Sequence, residues 1–167
     1  MKYALTLIAA LFITCLLQAQ HLVESEEFKI SFETSELLEN YETESSTVLG
    51  YDNENYAVDI EIVSLDQTPD RYLNNQKQAA YELAKDLGLR HTVDGGTIPY
   101  IYSAYYVISK EKEQGILIPV YVLFIVNTDL NLVYEITVYC YNNNLQEGER
   151  ITKSFRFYNA SSSGADD

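Results

Sequence analysis

The sequence predicts an α+β fold, a twisted antiparallel sheet of about six strands covered by helices. Three observations predict it. From Tyr100 to Tyr141 the chain passes through segments rich in Val, Ile, Tyr and Phe joined by short polar connections, the pattern of adjacent antiparallel strands. Asp70 to Leu87 carries an amphipathic helical stripe that needs a flat apolar surface beneath it. Upstream of that stripe, apolar residues alternate with polar ones at a period of two, as in half-buried strands.

The chain opens with Lys2 and an uncharged run from Ala4 to Leu17 ending in Leu17-Gln18-Ala19-Gln20. This pattern predicts a signal peptide over 1–20, with Ala19 as the small residue before the cut. The run is shorter than the roughly 20 residues of a membrane-spanning helix, and no second run of that length follows, so no transmembrane anchor is expected. Cys15 lacks the leucine and small residue that precede a lipidated cysteine. The Gln-Ala-Gln ending resembles leaders of Bacteroidetes, which implies an exported product in a Gram-negative periplasm or outside the cell.

Next, Phe28, Ile30 and Phe32 alternate with Lys29 and Ser31, predicting a strand over Glu27 to Glu33. The glutamate-rich stretch Ser35 to Ser46 fits a helical turn or a loop. Thr47 to Tyr51 and Tyr56 to Ser64 flank the turn residues Asp52-Asn53-Glu54-Asn55 and read as a hairpin. Thr68 caps the long helix, Pro69 takes its first position, and Gly88 ends it in a left-handed cap with Leu89 folding back. Leu73, Ala80, Leu83, Ala84 and Leu87 form its apolar stripe, interrupted by Gln76.

A loop containing Asp94-Gly95-Gly96 leads to strands over Tyr100 to Ser109, Ile116 to Val126 and Leu132 to Tyr141. The middle one is apolar on both faces, which predicts a central strand covered on two sides. Ile151, Phe155 and Tyr158 then recur at helical spacing, predicting a helix over Glu147 to Phe157. The expected domain covers 21–158, and 159–167 is a small, polar, acidic tail expected to be disordered.

This order resembles the PsbP-like superfamily, an α/β/α sandwich shared by an extrinsic photosystem protein, a nuclear Ran-binding family and several exported bacterial domains. Phe28-Lys29-Ile30-Ser31-Phe32, the helix Asp70 to Leu87, and Ile151-Thr152-Lys153-Ser154-Phe155 carry the resemblance. It implies an exported bacterial member that docks on a larger assembly without catalysing a reaction, and it transfers no site residue.

Charge narrows the partners. The full chain has a net charge of −14, and losing the leader removes Lys2 and no acid. Phosphate backbones need clustered Lys and Arg, so nucleic acid is excluded as a partner. Cys140 alone follows the leader, so no internal disulfide forms and packing must supply the stability.

Candidate chemistry is sparse. His21 and His91 could brace a copper ion only if cleavage after Gln20 exposed the His21 amine; cleavage after Ala19 removes that site. Cys140 with His91 would suit a thiolate and its base, but Cys140 lies in an apolar strand where cysteine acts as a small hydrophobe. Asp59 and Glu61 share a strand face as a carboxylate pair, a pattern common on solvated strands. The turn at Asp52 lacks the glycine that a calcium loop needs at its sixth position, where Ala57 stands. No phosphate loop, nucleophile elbow or zinc helix motif occurs, so neither a cofactor nor a metal is expected.

The remaining feature is aromatic: Tyr100, Tyr102 and Tyr106 project from one strand face and Tyr105 from the other. Exposed, such a row binds peptides, glycans or proteins; covered, it packs beneath a helix with its hydroxyls at the rim. The sequence therefore points to an exported, non-catalytic domain that binds a protein or envelope partner. A small-molecule or glycan module built on the tyrosine face and the Asp94-Gly95-Gly96 loop is the alternative, and a copper or hydrolytic enzyme the third reading.

Overall fold

The computed structural model describes residues 20–101 and 103–158. The predicted leader, the 159–167 tail and Tyr102 lie outside the described residues. The elements are β1 (His21–Ser25), β2 (Ile30–Thr34), β3 (Glu39–Tyr41), β4 (Val48–Asp52) and β5 (Tyr56–Ser64), then a 3-10 turn at Leu65–Gln67. There follow α1 (Asp70–Leu73), α2 (Gln76–Asp86), β6 (Arg90–Thr97), β7 (Ala104–Glu113), β8 (Ile116–Asn127), β9 (Leu132–Cys140), α3 (Leu145–Ser154) and β10 (Arg156–Phe157).

Among the described residues the strands form a seven-stranded sheet in the order β3-β4-β5-β9-β8-β7-β6 and a three-stranded sheet in the order β1-β2-β10. Every pairing is antiparallel. The α+β class and the antiparallel sheet are as expected, with seven strands in the main sheet in place of about six. Five of the expected strands lie in it, the first expected strand being β2 of the small sheet; the two it adds are β3, within the Ser35 to Ser46 stretch expected as a helical turn or loop, and β6, because Asp94-Gly95-Gly96 lies inside an edge strand rather than a loop. That strand is irregular: its register with β7 shifts twice, and His91 and Gly96 have positive φ. Such bulges blunt a sheet edge against further pairing.

β8 explains the layering. Tyr121, Leu123 and Ile125 point to one core, and Val120, Val122, Phe124 and Val126 to the other. The helix α2 covers the second face with Ala79, Ala80 and Ala84, small residues that let its backbone sit close over β7 and β8. The first face is covered by α3 and the small sheet, which bring Ile30, Phe32, Ile151 and Phe155 onto it.

The predicted long helix is broken. Asn75 stops it and restarts it, its side chain accepting from the Gln78 N–H at 3.1 Å, because asparagine favours caps over helix interiors. Thr68 does not cap; its hydroxyl donates to the Ser64 carbonyl at 3.1 Å, and Pro69 occupies the cap position. At the other end Gly88 has φ +73°, and the N–H groups of Gly88 and Leu89 reach the carbonyls of Lys85 and Ala84. That is the glycine cap read from the sequence.

Two further boundaries moved. Residues 26–29 form the turn of a β1–β2 hairpin in which Lys29 takes φ +53°, so the expected strand Glu27 to Glu33 begins at Ile30. The last helix spans Leu145–Ser154, started by Asn144, which accepts from the Glu147 N–H at 3.2 Å. Phe155 then turns extended into the core, and Arg156–Phe157 pair with β2. Glu147 anchors this helix to the small sheet, accepting from the Ser35 N–H and from Arg150 Nε, each at 2.7 Å. Among the described residues, no helix is long and apolar enough to cross a membrane.

Candidate functional site: an acidic trough on the open half of the sheet

The α2 helix packs on β6, β7 and β8, and beside it the outer face of β4, β5 and β9 forms a trough. Strand alternation decides what lines it. On β5 the even-numbered residues Tyr56, Val58 and Ile60 enter the core, leaving Asp59 and Glu61 outward. On β9 Tyr134, Ile136 and Val138 enter the same core, leaving Glu135, Thr137 and Tyr139 outward. Register then places Glu61 directly opposite Glu135, and Asp59 opposite Thr137. Leu83 and Leu87 of the α2 end form the apolar wall, and Tyr41 from β3 borders the far side of a half-open cavity of ≈ 230 Å³.

Tyr41 reaches the trough because its ring lies flat on Gly50, where any side chain would collide with it. Its hydroxyl donates to Asp59 Oδ1. Tyr139 and Tyr141 stack with ring centroids 6.2 Å apart at the same end.

The electrostatics are one-sided. Burial pushes the Asp59 carboxyl above its ordinary range; the Tyr41 hydrogen bond works against this, and Asp52 adds to it. Burial likewise raises Glu135, reinforced by the charges of Glu61 and Asp86. Burial also raises the Tyr139 phenol, with Asp59 and Glu111 contributing. Among the described residues, no lysine or arginine forms an ion pair with Asp59, Glu61 or Glu135. Like charges directly opposite on neighbouring strands are destabilising, so the trough is a standing concentration of negative potential with aromatic and aliphatic walls.

The residues singled out in the sequence fall in different places. Asp59 and Glu61 are in the trough. Tyr106 is 3% exposed beneath α3, whereas Tyr100 is 85% exposed in a turn with φ +66°. The strand begins only at Ala104, so these two tyrosines do not share a solvent face, and Tyr102 lies outside the described residues. Tyr105 and Lys77 both bind Asp94, tying α2 to the edge strand and occupying the carboxylate of the Asp94-Gly95-Gly96 segment.

His21 sits on β1 of the small sheet and His91 on β6 of the large one. Among the described residues no group of three or more His, Cys, Asp or Glu is arranged to hold a metal. Cys140 is buried against Gly148 and the Tyr121 ring, while His91 is exposed. Burial, with Glu147 nearby, pushes its thiol up to about 12, which keeps it protonated at neutral pH.

Sequence reasoning missed Tyr41, Glu135, Thr137 and Tyr139. The alternation from Val133 to Cys140 marks the outward residues of β9, but nothing local says that β9 pairs with β5.

No family model and no curated protein matches the chain. Among solved structures it is similar to the Saccharomyces cerevisiae Ran-binding protein Mog1p, with a TM-score of 0.57 at 8% identity over 83% of this chain and 95% of that one. It is similar to a point mutant of Mog1, with a TM-score of 0.56 at 9% identity over 85% of this chain and 97% of that one. A Bacteroides thetaiotaomicron protein gives a TM-score of 0.52 at 14% identity, covering 86% of this chain and 50% of that one. These neighbours correct the PsbP-like assignment, which they do not support. The patterns that suggested it, at Phe28 to Phe32, Asp70 to Leu87 and Ile151 to Phe155, are packing patterns that any helix-covered antiparallel sheet can carry. The chain has a Mog1-like α+β fold.

Proposed function

We propose that this protein is an exported, non-catalytic binding domain whose acidic trough receives a lysine or arginine side chain of a partner protein in the cell envelope. The observation that carries the reading is the facing pair Glu61 and Glu135, with Asp59 beside it, in a cavity that supplies no cation of its own. An incoming cation relieves the repulsion, and the tyrosines around it offer π-faces. The ≈ 230 Å³ cavity suits one long side chain, whereas ligand pockets hold about 300–1,000 Å³. The Mog1-like neighbours, one of them named as a Ran-binding protein, support protein binding as the use of this fold. Export rests on the leader pattern, with the periplasm favoured over the medium by the resemblance of its ending.

The test is a photo-crosslinking amino acid at Leu87, which is 47% exposed on the trough wall, in cells that make the protein. The expected result is one protein adduct, captured through a basic segment and lost in Asp59→Asn/Glu135→Gln. Adducts that persist in that double variant would overturn the reading.

A further inference from the structure

The opposite face of the sheet carries a second surface of opposite character. The ladder between β8 and β9 ends at Val120 and Tyr139, so the end of the β7–β8 hairpin projects beyond the rest of the sheet. There Pro119, which has no N–H to donate, is tolerated because β8 is paired on one side only. Strand alternation sorts the charges of this hairpin. Lys110 and Lys112 follow Tyr106 and Ile108 onto the α3 face, while Glu111 and Glu113 fall on the trough face, near Tyr139 and Tyr141.

On the α3 face, Ile108, Leu117 and Pro119 form the floor of an open groove of ≈ 630 Å³. Val93 and Leu145 form its walls, and they are 55% and 50% exposed. Leu145 is held there because the Tyr121 hydroxyl donates to its carbonyl at 2.7 Å. Lys110 stands at the groove with Arg90 as its register partner on β6, and Lys112 lies opposite Leu117. Among the described residues none of these three cations forms an ion pair.

In a chain with a net charge of −14, an apolar groove rimmed by unpaired cations is unusual, and its spacing is informative. Ile108, Lys110 and Lys112 recur every second residue, about 7 Å apart along the strand. We infer that this groove docks an extended acidic segment of a partner protein with the pattern apolar-x-acid-x-acid, its apolar side chain between Val93 and Leu117 and its carboxylates on Lys110 and Lys112. The inference uses none of the trough residues. The net negative charge disfavours a second copy as the occupant, and cations repeating at strand spacing suit an extended acidic chain better than a compact small molecule.

The test is fluorescence anisotropy of the full-length protein with a labelled peptide Ser-Leu-Ser-Glu-Ser-Glu-Ser, beside one with lysines for the glutamates and one with the glutamates adjacent. The expected result is binding at least about tenfold tighter to the first peptide, weakening as salt rises, with amide shifts at Val93, Ile108, Leu117 and Leu145. Lys110→Glu/Lys112→Glu and, separately, Leu117→Asp each lose at least about tenfold with an unchanged urea midpoint, while Asp59→Asn/Glu135→Gln binds as the parent does. Equal binding of all three peptides, or shifts confined to the trough, overturns the inference. Two other results overturn its choice of occupant. One is flotation with vesicles of anionic lipid that depends on Lys110 and Lys112. The other is concentration-dependent self-association lost in Lys110→Glu/Lys112→Glu, since β1 exposes Leu22 and Glu24, with Glu26 following in the turn.

Discussion

Replacing Glu135 with Gln should stabilise the protein at neutral pH. Glu135 stands opposite Glu61 across the β5–β9 ladder, and a like-charged pair in that position costs about 0.2–1 kcal/mol. Half-burial of the carboxylate adds to the penalty, and glutamine keeps the shape, so a gain of about 1 kcal/mol is expected, equivalent to about 3 °C in Tm for a domain of this size. The gain must depend on pH. Burial and the charges of Glu61 and Asp86 raise the Glu135 carboxyl above its ordinary value, so the folded protein holds this proton more tightly than the unfolded chain. Stability contributed by this group is present below the unfolded value and lost as pH rises through the folded one. Glutamine has no such slope, so its advantage grows as pH rises through that window and vanishes below it. Urea unfolding of parent and variant at pH 7 and at about pH 4 measures the difference. A variant less stable than the parent at pH 7, or a gain of equal size at both pH values, would refute the reasoning.

Three further outcomes follow from the same geometry. Gly148→Ala should destabilise by about 1–3 kcal/mol in urea unfolding although alanine is the better helix former, because its methyl group would collide with Cys140 Sγ and the Tyr121 ring. Glu147→Ala should cost about 2–3 kcal/mol by freeing the Ser35 N–H and stranding the half-buried Arg150. Burial alone would raise the Glu147 carboxyl, but the bonds from Arg150 and Ser35 hold it below its ordinary range. Its contribution is therefore present above the unfolded value and lost as pH falls through the folded one, and the parent's excess over Glu147→Ala should shrink in acid unfolding. Gly50→Ala should lift the Tyr41 ring and break its bond to Asp59, read as loss of the Tyr41 amide shift and weaker capture of cationic peptide.

Local patterns were legible where local chemistry decides the outcome. The two-sided apolar character of β8, the β4–β5 hairpin and the Gly88 cap each depend on residues near in sequence. The break at Asn75 was visible only as a polar interruption at Gln76, because the competition between a side-chain cap and continued helix is narrow. Strand β6 was hidden because Asp94-Gly95-Gly96 has turn composition; its glycines serve close approach to Tyr106 and a positive-φ bulge. Tyr100 and Tyr106 do not share one face because β7 begins at Ala104, with Tyr100 exposed in a positive-φ turn and Tyr106 buried beneath α3. The trough was half legible. Asp59 and Glu61 are an evident pair, but Glu135 and Tyr41 join them through pairings between segments distant in sequence, which no local signal encodes.

The most direct measurement of the central claim is an amide chemical-shift titration of the ¹⁵N-labelled protein with an arginine-bearing peptide. Saturable shifts are expected at Tyr41, Asp59, Glu135, Thr137 and Tyr139, lost in Asp59→Asn/Glu135→Gln. Shifts spread evenly over the acidic surface, or unchanged in that variant, would contradict it.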